Sequence, residues 1–223
     1  MLLKTRNEQK VPDTDKQMSY SGFIQNICLD ENPVKQAKTL TPIDLRRVLD
    51  YIATRSHSER NRAMLLMTYY SGMRVGEVAS IRYSDIVEPD RTIRSEIILR
   101  PEQTKGNESR TVFISEKLKK ELEIYLKATK FTDPFDKFFY TQKRVDEGFN
   151  ANTLTQHFHH LYKRAGIVGA SSHSGRRSFI TNLASKGISV RVLASLAGHK
   201  SIATTQRYID VNDDQKRRAV ELI

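Results

Sequence analysis

Six polar residues stand where helix and strand periodicity does not explain them, and each has a side chain suited to chemistry on an anion. Arg74 follows a glycine at a helix entrance, in Ser71-Gly72-Met73-Arg74-Val75-Gly76-Glu77. Lys105 sits in the turn sequence Thr104-Lys105-Gly106-Asn107. His173 and Arg176 are three apart, on one face of a starting helix. His199 follows Gly198 at a helix end, and Tyr208 comes nine residues later. Arginine forks grip oxyanions with two parallel hydrogen bonds. Imidazoles donate hydrogen bonds or move protons near neutral pH, and a lysine on a hairpin can deliver a proton to a leaving group. A tyrosine hydroxyl, with a pKa of about 10, is a slow nucleophile but a serviceable leaving group when a reaction reverses. Singly, each residue has a plainer reading. Arg74 suits a surface or capping arginine, His199 a satisfied helix cap, and Tyr208 a half-buried core residue. Only a fold that brings positions 74 to 208 together gives them a common purpose.

The pattern predicts mainly helices around one small antiparallel β-sheet. Thr41-Pro42 reads as a capping threonine followed by proline at the first helical position, and Leu45, Val48, Leu49 and Ile52 follow at helical spacing. A second helix spans Glu59 to Tyr70 and stops at Ser71-Gly72; a third starts near Val75 and carries Val78, Ala79 and Ile81. The β-branched runs Ile93–Leu99 and Thr111–Ile114 read as strands, with Lys105 at the tip of their hairpin. Helical spacing returns at Lys117–Lys127 and Thr153–Ala165, and the stretch 128–150 reads as irregular. Three more helices are expected at about 174–186, 189–197 and 201–209, punctuated by Gly187 and Gly198. We expect an N-terminal arm or linker at 1–38, a catalytic domain at 39–210 and a tail at 211–223, charged and then apolar.

Composition narrows the partners. The chain has 223 residues, 37 Lys and Arg against 26 Asp and Glu, and a net charge of +11. Such an excess points to a polyanion, because each phosphate neutralised releases counterions. A basic isoelectric point with no nucleic-acid partner is the plain alternative. No apolar run approaches the ~20 residues of a membrane span, and the first residues lack the apolar stretch of a secretory signal. Cys28 is the one cysteine, so neither an intrachain disulfide nor a cysteine-rich zinc site can form. A cytoplasmic setting is expected.

Taken together, the motifs resemble those of the tyrosine recombinases (phage integrases). Members have an arginine in a Thr/Ser-Gly-Leu/Met-Arg-x-x-Glu box, a lysine on a β-hairpin, His-x-x-Arg, Leu-Gly-His, and a tyrosine in Thr-Thr-x-x-Tyr. Here these are matched by Arg74, Lys105, His173-Ser174-Gly175-Arg176, Ala197-Gly198-His199 and Thr204-Thr205-Gln206-Arg207-Tyr208, in the same order and spacing. The likeness runs over roughly residues 39–215. Members as a rule also carry a separate N-terminal helical domain, whereas 38 residues precede the matching segment here. Arg177 stands where a histidine is common.

The resemblance implies a site-specific DNA recombinase acting on double-stranded DNA through a 3′-phosphotyrosine at Tyr208. It implies Arg74 and Arg176 on the non-bridging oxygens, His173 and His199 donating hydrogen bonds or moving protons, and Lys105 protonating the departing 5′-oxygen. Two guanidiniums supply the charge that a metal otherwise would, so no cofactor and no metal are expected. Glu77 is expected to tie down the active-site helix. Four protomers exchange strands in the family, so a free monomer and a tetramer on DNA are expected, with the tail docked on a neighbour. Three other readings stay open: a non-catalytic regulator with a helix-turn-helix at 189–209, a metal enzyme using His157, His159 and His160, and a type IB topoisomerase-like relaxing enzyme.

Overall fold

The computed structural model describes residues 36–130, 133–141, 148–209, 216, 217, 220 and 221. The chain divides into two units, Met1–Gln36 and Ala37–Ile223, and the second is the one described. The arm expected at 1–38 falls almost wholly outside the described residues, as does Cys28; of the tail at 211–223 only Lys216, Arg217, Val220 and Glu221 are described.

The helix α1 (Pro42–Ala53) starts where its cap residues dictate. Thr41 Oγ1 accepts the Asp44 amide at 3.1 Å, and the Asp44 carboxylate accepts the Thr41 amide at 3.0 Å. Such a reciprocal cap is worth about 1 kcal/mol. Next, α2 (Ser58–Ser71) is buried along Ala63–Thr68 without a polar stripe, as befits the helix at the centre of the core. It ends at Gly72, whose φ of 67° is left-handed. A Cβ there would collide with the ring of Phe179, so glycine both turns the chain and lets the later helix close on it. The short helices α3 (Val75–Ser80) and α4 (Tyr83–Ile86) follow; α4 has no counterpart in the sequence pattern.

The sheet is one antiparallel pair, β1 (Glu96–Leu99) and β2 (Arg110–Phe113), in the register Glu96↔Phe113 to Leu99↔Arg110. Ile97, Leu99 and Val112 point into the core. The first strand is shorter than the run 93–99 suggests. Arg91 adopts φ 67° and the Arg94 amide bonds the Ile86 carbonyl at 2.9 Å, so this stretch folds back on the end of α4. Ile93 keeps a single bridge to Val87. Lys105 lies in the connection between the strands, after a 3-10 turn at Pro101–Gln103.

Beyond the sheet come α5 (Glu116–Lys127) and α6 (Ala151–Arg164). The described residues between them form no helix or strand, in line with the irregular pattern, yet they supply aromatic core. Phe138 and Phe139 are buried, their rings 5.3 Å from Tyr125, whose hydroxyl donates to the Phe138 carbonyl at 2.8 Å. Finally, α7 (Ser174–Ser185) lies against α2, followed by α8 (Val190–Ala197) and α9 (Ile202–Gln206). A Cβ on Gly175 would overlap the Thr68 side chain, so this glycine permits α7 to sit close on α2. The last helix is shorter than 201–209: beyond Gln206 the chain continues in tighter turns, the Tyr208 amide bonding the Thr205 carbonyl and the Ile209 amide the Gln206 carbonyl. The architecture is mainly α with one small antiparallel sheet. Among the described residues, no helix is long and apolar enough to cross a membrane.

Candidate active site

The central device is a pair of arginines anchored on backbone carbonyls at the ends of two helices. Arg176, on the first turn of α7, is 4% exposed. Its Nη1 donates to the Gly72 carbonyl at the end of α2, and its Nη2 to the Ala197 carbonyl at the end of α8, both at 2.6 Å. Arg74, just before α3, donates from Nη2 to the Gly198 carbonyl at 3.0 Å and from Nη1 to Glu77 at 2.9 Å. Helix C-termini present carbonyls that have no partner within their own helix, and carry negative partial charge. Each guanidinium has five N–H groups, so both keep donors for a ligand. Burial first, and then the charge of Arg74, push the Arg176 pKa down to about 9. Against the single carboxylate of Glu77, Arg74, Arg110 and Arg176 keep an excess of positive charge.

Glu77 is 1% exposed and holds three groups at once: the Arg74 amide at 2.8 Å, the Arg74 guanidinium, and Arg110 at 2.6 and 3.2 Å. Burial alone would raise its pKa; the hydrogen bonds and charge of Arg110, then those of Arg74, outweigh it and hold the carboxyl below its usual range. Arg110 also donates to the Leu196 carbonyl at 2.9 Å. It thereby ties the sheet to both α3 and α8. Gly198, with φ 61°, leaves room for it, since a Cβ there would stand 2.7 Å from Arg110 Cδ.

His199 follows that glycine. Its Nε2 faces Arg176 Nη2 at 2.8 Å and its Nδ1 faces the buried Thr205 Oγ1 at 2.8 Å. Burial, then Arg176, Arg74 and Arg110, lower its pKa to about 4. The ring is therefore neutral at pH 7. Because Nε2 meets a donor, the proton resides on Nδ1 and is donated to Thr205. In this state His199 is an acceptor that steadies the Arg176 fork. The Tyr208 ring stacks on it, with centroids 5.8 Å apart and planes at 19°. His173 stands at the N-terminal cap position of α7, and its pKa is lowered by burial first, then by Arg176, Arg74 and Lys105. Lys105 is exposed and lines a cleft of about 490 Å³ with Arg74, Arg110, His199 and Thr204. The fold thus gathers Arg74, Lys105, His173, Arg176, His199 and Tyr208 from four separate stretches of chain. Arg110 and Thr205 join them without having been singled out by spacing. Arg110 looks like any strand arginine until its pairing with Glu77 is seen.

The segment proposed as a helix-turn-helix does form two helices about Gly198, but the second has five residues and the turn is spent on holding His199 inward. The histidines of α6 lie elsewhere. The His157 ring packs 5.4 Å from Phe149 and 6.3 Å from Phe158. It lines a cleft with Arg55, Arg60, His160 and Arg164, a cationic neighbourhood that repels a metal ion. Among the described residues, no three His, Cys, Asp or Glu side chains gather as a metal-binding group. Burial first, then Arg60 and His160, lower the His157 pKa to about 4.

A pH dependence of stability follows from the depressed imidazoles of His157 and His199, with His173 shifted in the same direction. Between about pH 4 and the unfolded value of about 6.5, the unfolded chain binds more protons than the native one, so stability falls as pH drops through that window. Urea unfolding measured from pH 7 to pH 4 should show the fall, and His157→Phe should make it shallower. An unchanged slope in that variant would remove His157 from the effect.

The phage integrase family profile matches residues 38–215. The XerA tyrosine recombinase of Thermococcus kodakarensis is 30% identical over 192 residues, 85% of this chain and 64% of that protein. The XerA tyrosine recombinase of Pyrococcus horikoshii is 27% identical over 191 residues, 85% of this chain and 62% of its own length. This chain therefore spans a little under two thirds of those relatives. A crystal structure of XerA recombinase superposes with a TM-score of 0.66 at 27% identity, covering 84% of this chain and 65% of that one. The catalytic domain of bacteriophage HP1 integrase has the same fold, with a TM-score of 0.57 at 22% identity over 83% of this chain and 95% of that domain. With its profile matched across most of its length, the chain belongs to the phage integrase family, that of the tyrosine recombinases.

Proposed function

We propose that this protein is a site-specific recombinase that cuts and rejoins duplex DNA by transferring a phosphodiester to Tyr208. One observation carries the reading. The forks of Arg74 and Arg176 are anchored on neighbouring carbonyls, Gly198 and Ala197, immediately before the histidine on which Tyr208 stacks. A DNA phosphate bridging the two guanidiniums lies within reach of the tyrosine. Tyr208 Oη gives up its proton to solvent and attacks phosphorus, a P–O bond forms, and the bond to the 5′-oxygen breaks. The strand end is left as a 3′-phosphotyrosine and a free 5′-hydroxyl. The hydroxyl of a partner strand reverses the step, so the bond energy is kept. Charge grows on the non-bridging oxygens as phosphorus becomes five-coordinate, and the guanidiniums and the His173 imidazole are placed to meet it. Lys105, exposed on its hairpin, gives the 5′-oxygen its proton. The protein is a free monomer in the cytoplasm, assembling to a tetramer on two DNA sites.

The test is covalent capture. Duplexes recovered by selection from a random pool, nicked near the cleavage position and end-labelled, should yield a protein–DNA adduct on a denaturing gel. Absence of an adduct on every selected duplex would favour the regulator reading, and relaxation of supercoiled circles without strand exchange would favour the topoisomerase one. Lys105 has its own test. Lys105→Ala should slow cleavage of ordinary DNA by about 10²-fold or more, the usual worth of a positioned acid. A substrate with sulfur at the 5′-bridging position leaves without a proton, and the variant should cleave it nearly as fast as the parent. Equal slowing on both substrates would make Lys105 a phosphate contact.

A further inference from the structure

Tyr208 has a second cationic neighbour that the reaction scheme does not use. The Arg177 guanidinium lies over the Tyr208 ring, 5.3 Å from its centroid. Its Nε donates to Thr39 Oγ1 at 3.1 Å. One turn further along α7, Thr181 Oγ1 donates to the Tyr208 carbonyl at 3.3 Å. Arg177 and Thr181 are four apart, so one face of α7 touches both the ring and the backbone of the tyrosine. The helix that supplies Arg176 to the phosphate thus also carries a cradle for the nucleophile. Tyr208 itself comes just after α9, in a turn where its amide bonds the Thr205 carbonyl. A ring in such a turn needs outside contacts to be held in one place.

We infer that Arg177 is a positioning residue for Tyr208, locked by Thr39 so that its guanidinium holds the tyrosine ring against His199. The inference rests on Tyr208 being the nucleophile. A cation over an aromatic face is attractive. The Thr39 hydroxyl fixes the long arginine side chain from the other side, which lessens the entropy lost in holding it there. Thr39 lies two residues ahead of Thr41, the cap of α1, and the Leu40 amide between them is bound by Ser178 Oγ at 2.7 Å. The chain entering the unit is therefore pinned to the same helix, next to the residue that holds the nucleophile. Thr39 and the Tyr208 ring thus share one side chain, that of Arg177.

The test uses single-turnover adduct formation at saturating nicked duplex, with DNA affinity and its salt dependence measured alongside. Arg177→Ala should slow adduct formation about tenfold, the factor that about 1.4 kcal/mol of lost attraction gives, with affinity and salt slope unchanged. Arg177→Lys keeps the cation but loses the bond to Thr39, and should fall between. Thr39→Val keeps the volume and removes the acceptor; it should slow the parent about threefold and have no further effect on Arg177→Ala. The proposal is overturned if Arg177→Ala leaves the rate unchanged. It is overturned equally if that variant weakens binding and lowers the salt slope by about one phosphate at an unchanged saturated rate, or if the two substitutions slow the reaction independently. Should Arg177→Ala not fold, the lysine and valine variants decide the matter by the same readings. An adduct that survives Tyr208→Phe would instead strike at the nucleophile assignment itself, so the two failures are told apart.

Discussion

Tyr208→Phe is expected to abolish the covalent protein–DNA adduct while leaving the fold and DNA affinity intact. The substitution removes one oxygen. The ring keeps its stacking on His199 and its place beneath Arg177, and the Tyr208 backbone keeps its bonds to Thr205 and Thr181. Little packing is therefore lost, and unfolding free energy should change by less than about 1 kcal/mol. What disappears is the only atom of the residue able to form the bond to phosphorus, and a phenyl ring has no substitute. The measurement is a denaturing gel of end-labelled nicked duplex, with peptide mapping of the parent adduct. Attachment at another tyrosine, or an adduct in the Phe variant, would overturn the assignment.

Arg176→Lys should reduce adduct formation by at least about 10²-fold, the usual effect of losing one positioned donor to a developing oxyanion. The variant keeps a positive charge, so a site that needed charge alone would barely notice. Lysine's ammonium cannot reproduce the fork. It cannot bind the Gly72 and Ala197 carbonyls, reach His199 Nε2 and still keep N–H donors over for a phosphate. Some stability is lost as well, since a buried carbonyl left without its donor costs about 1–3 kcal/mol. Single-turnover rates at saturating DNA separate the two effects, and a thermal melt records the second. A rate within a few-fold of the parent would mean that Arg176 is a structural strut and that Arg74 alone meets the phosphate.

The helices were the legible part of the fold, and the reason is local. The Thr41-Pro42 cap, the break at Ser71-Gly72 and the glycine at 198 each act within a turn of where they stand. What could not be read depends on partners far along the chain. Glu77 pairs with Arg110, 33 residues on, and nothing in either neighbourhood announces the other. Phe138 and Phe139 sit in a stretch with no periodicity, yet Tyr125 draws them into the core. Thr205 belongs to the motif that carries Tyr208, but its side chain is turned to His199 Nδ1. Arg177 stands out in the sequence only as an arginine where a histidine is common; its place against a tyrosine ring and a threonine hydroxyl shows only in the fold.

Arg74 and Arg176 depend on main-chain oxygens from far apart in the polypeptide: Arg74 on Gly198, 124 residues later, and Arg176 on both Gly72 and Ala197. During translation Arg74 leaves the ribosome long before the carbonyl that steadies it. Until the segment around Gly198 has emerged, neither guanidinium has its full mounting and Tyr208 does not yet exist. On the proposed function, a nascent or prematurely terminated chain would therefore carry Arg74 without the carbonyl that mounts it and without the nucleophile. In that reading strand cleavage becomes possible only once the whole domain has been made.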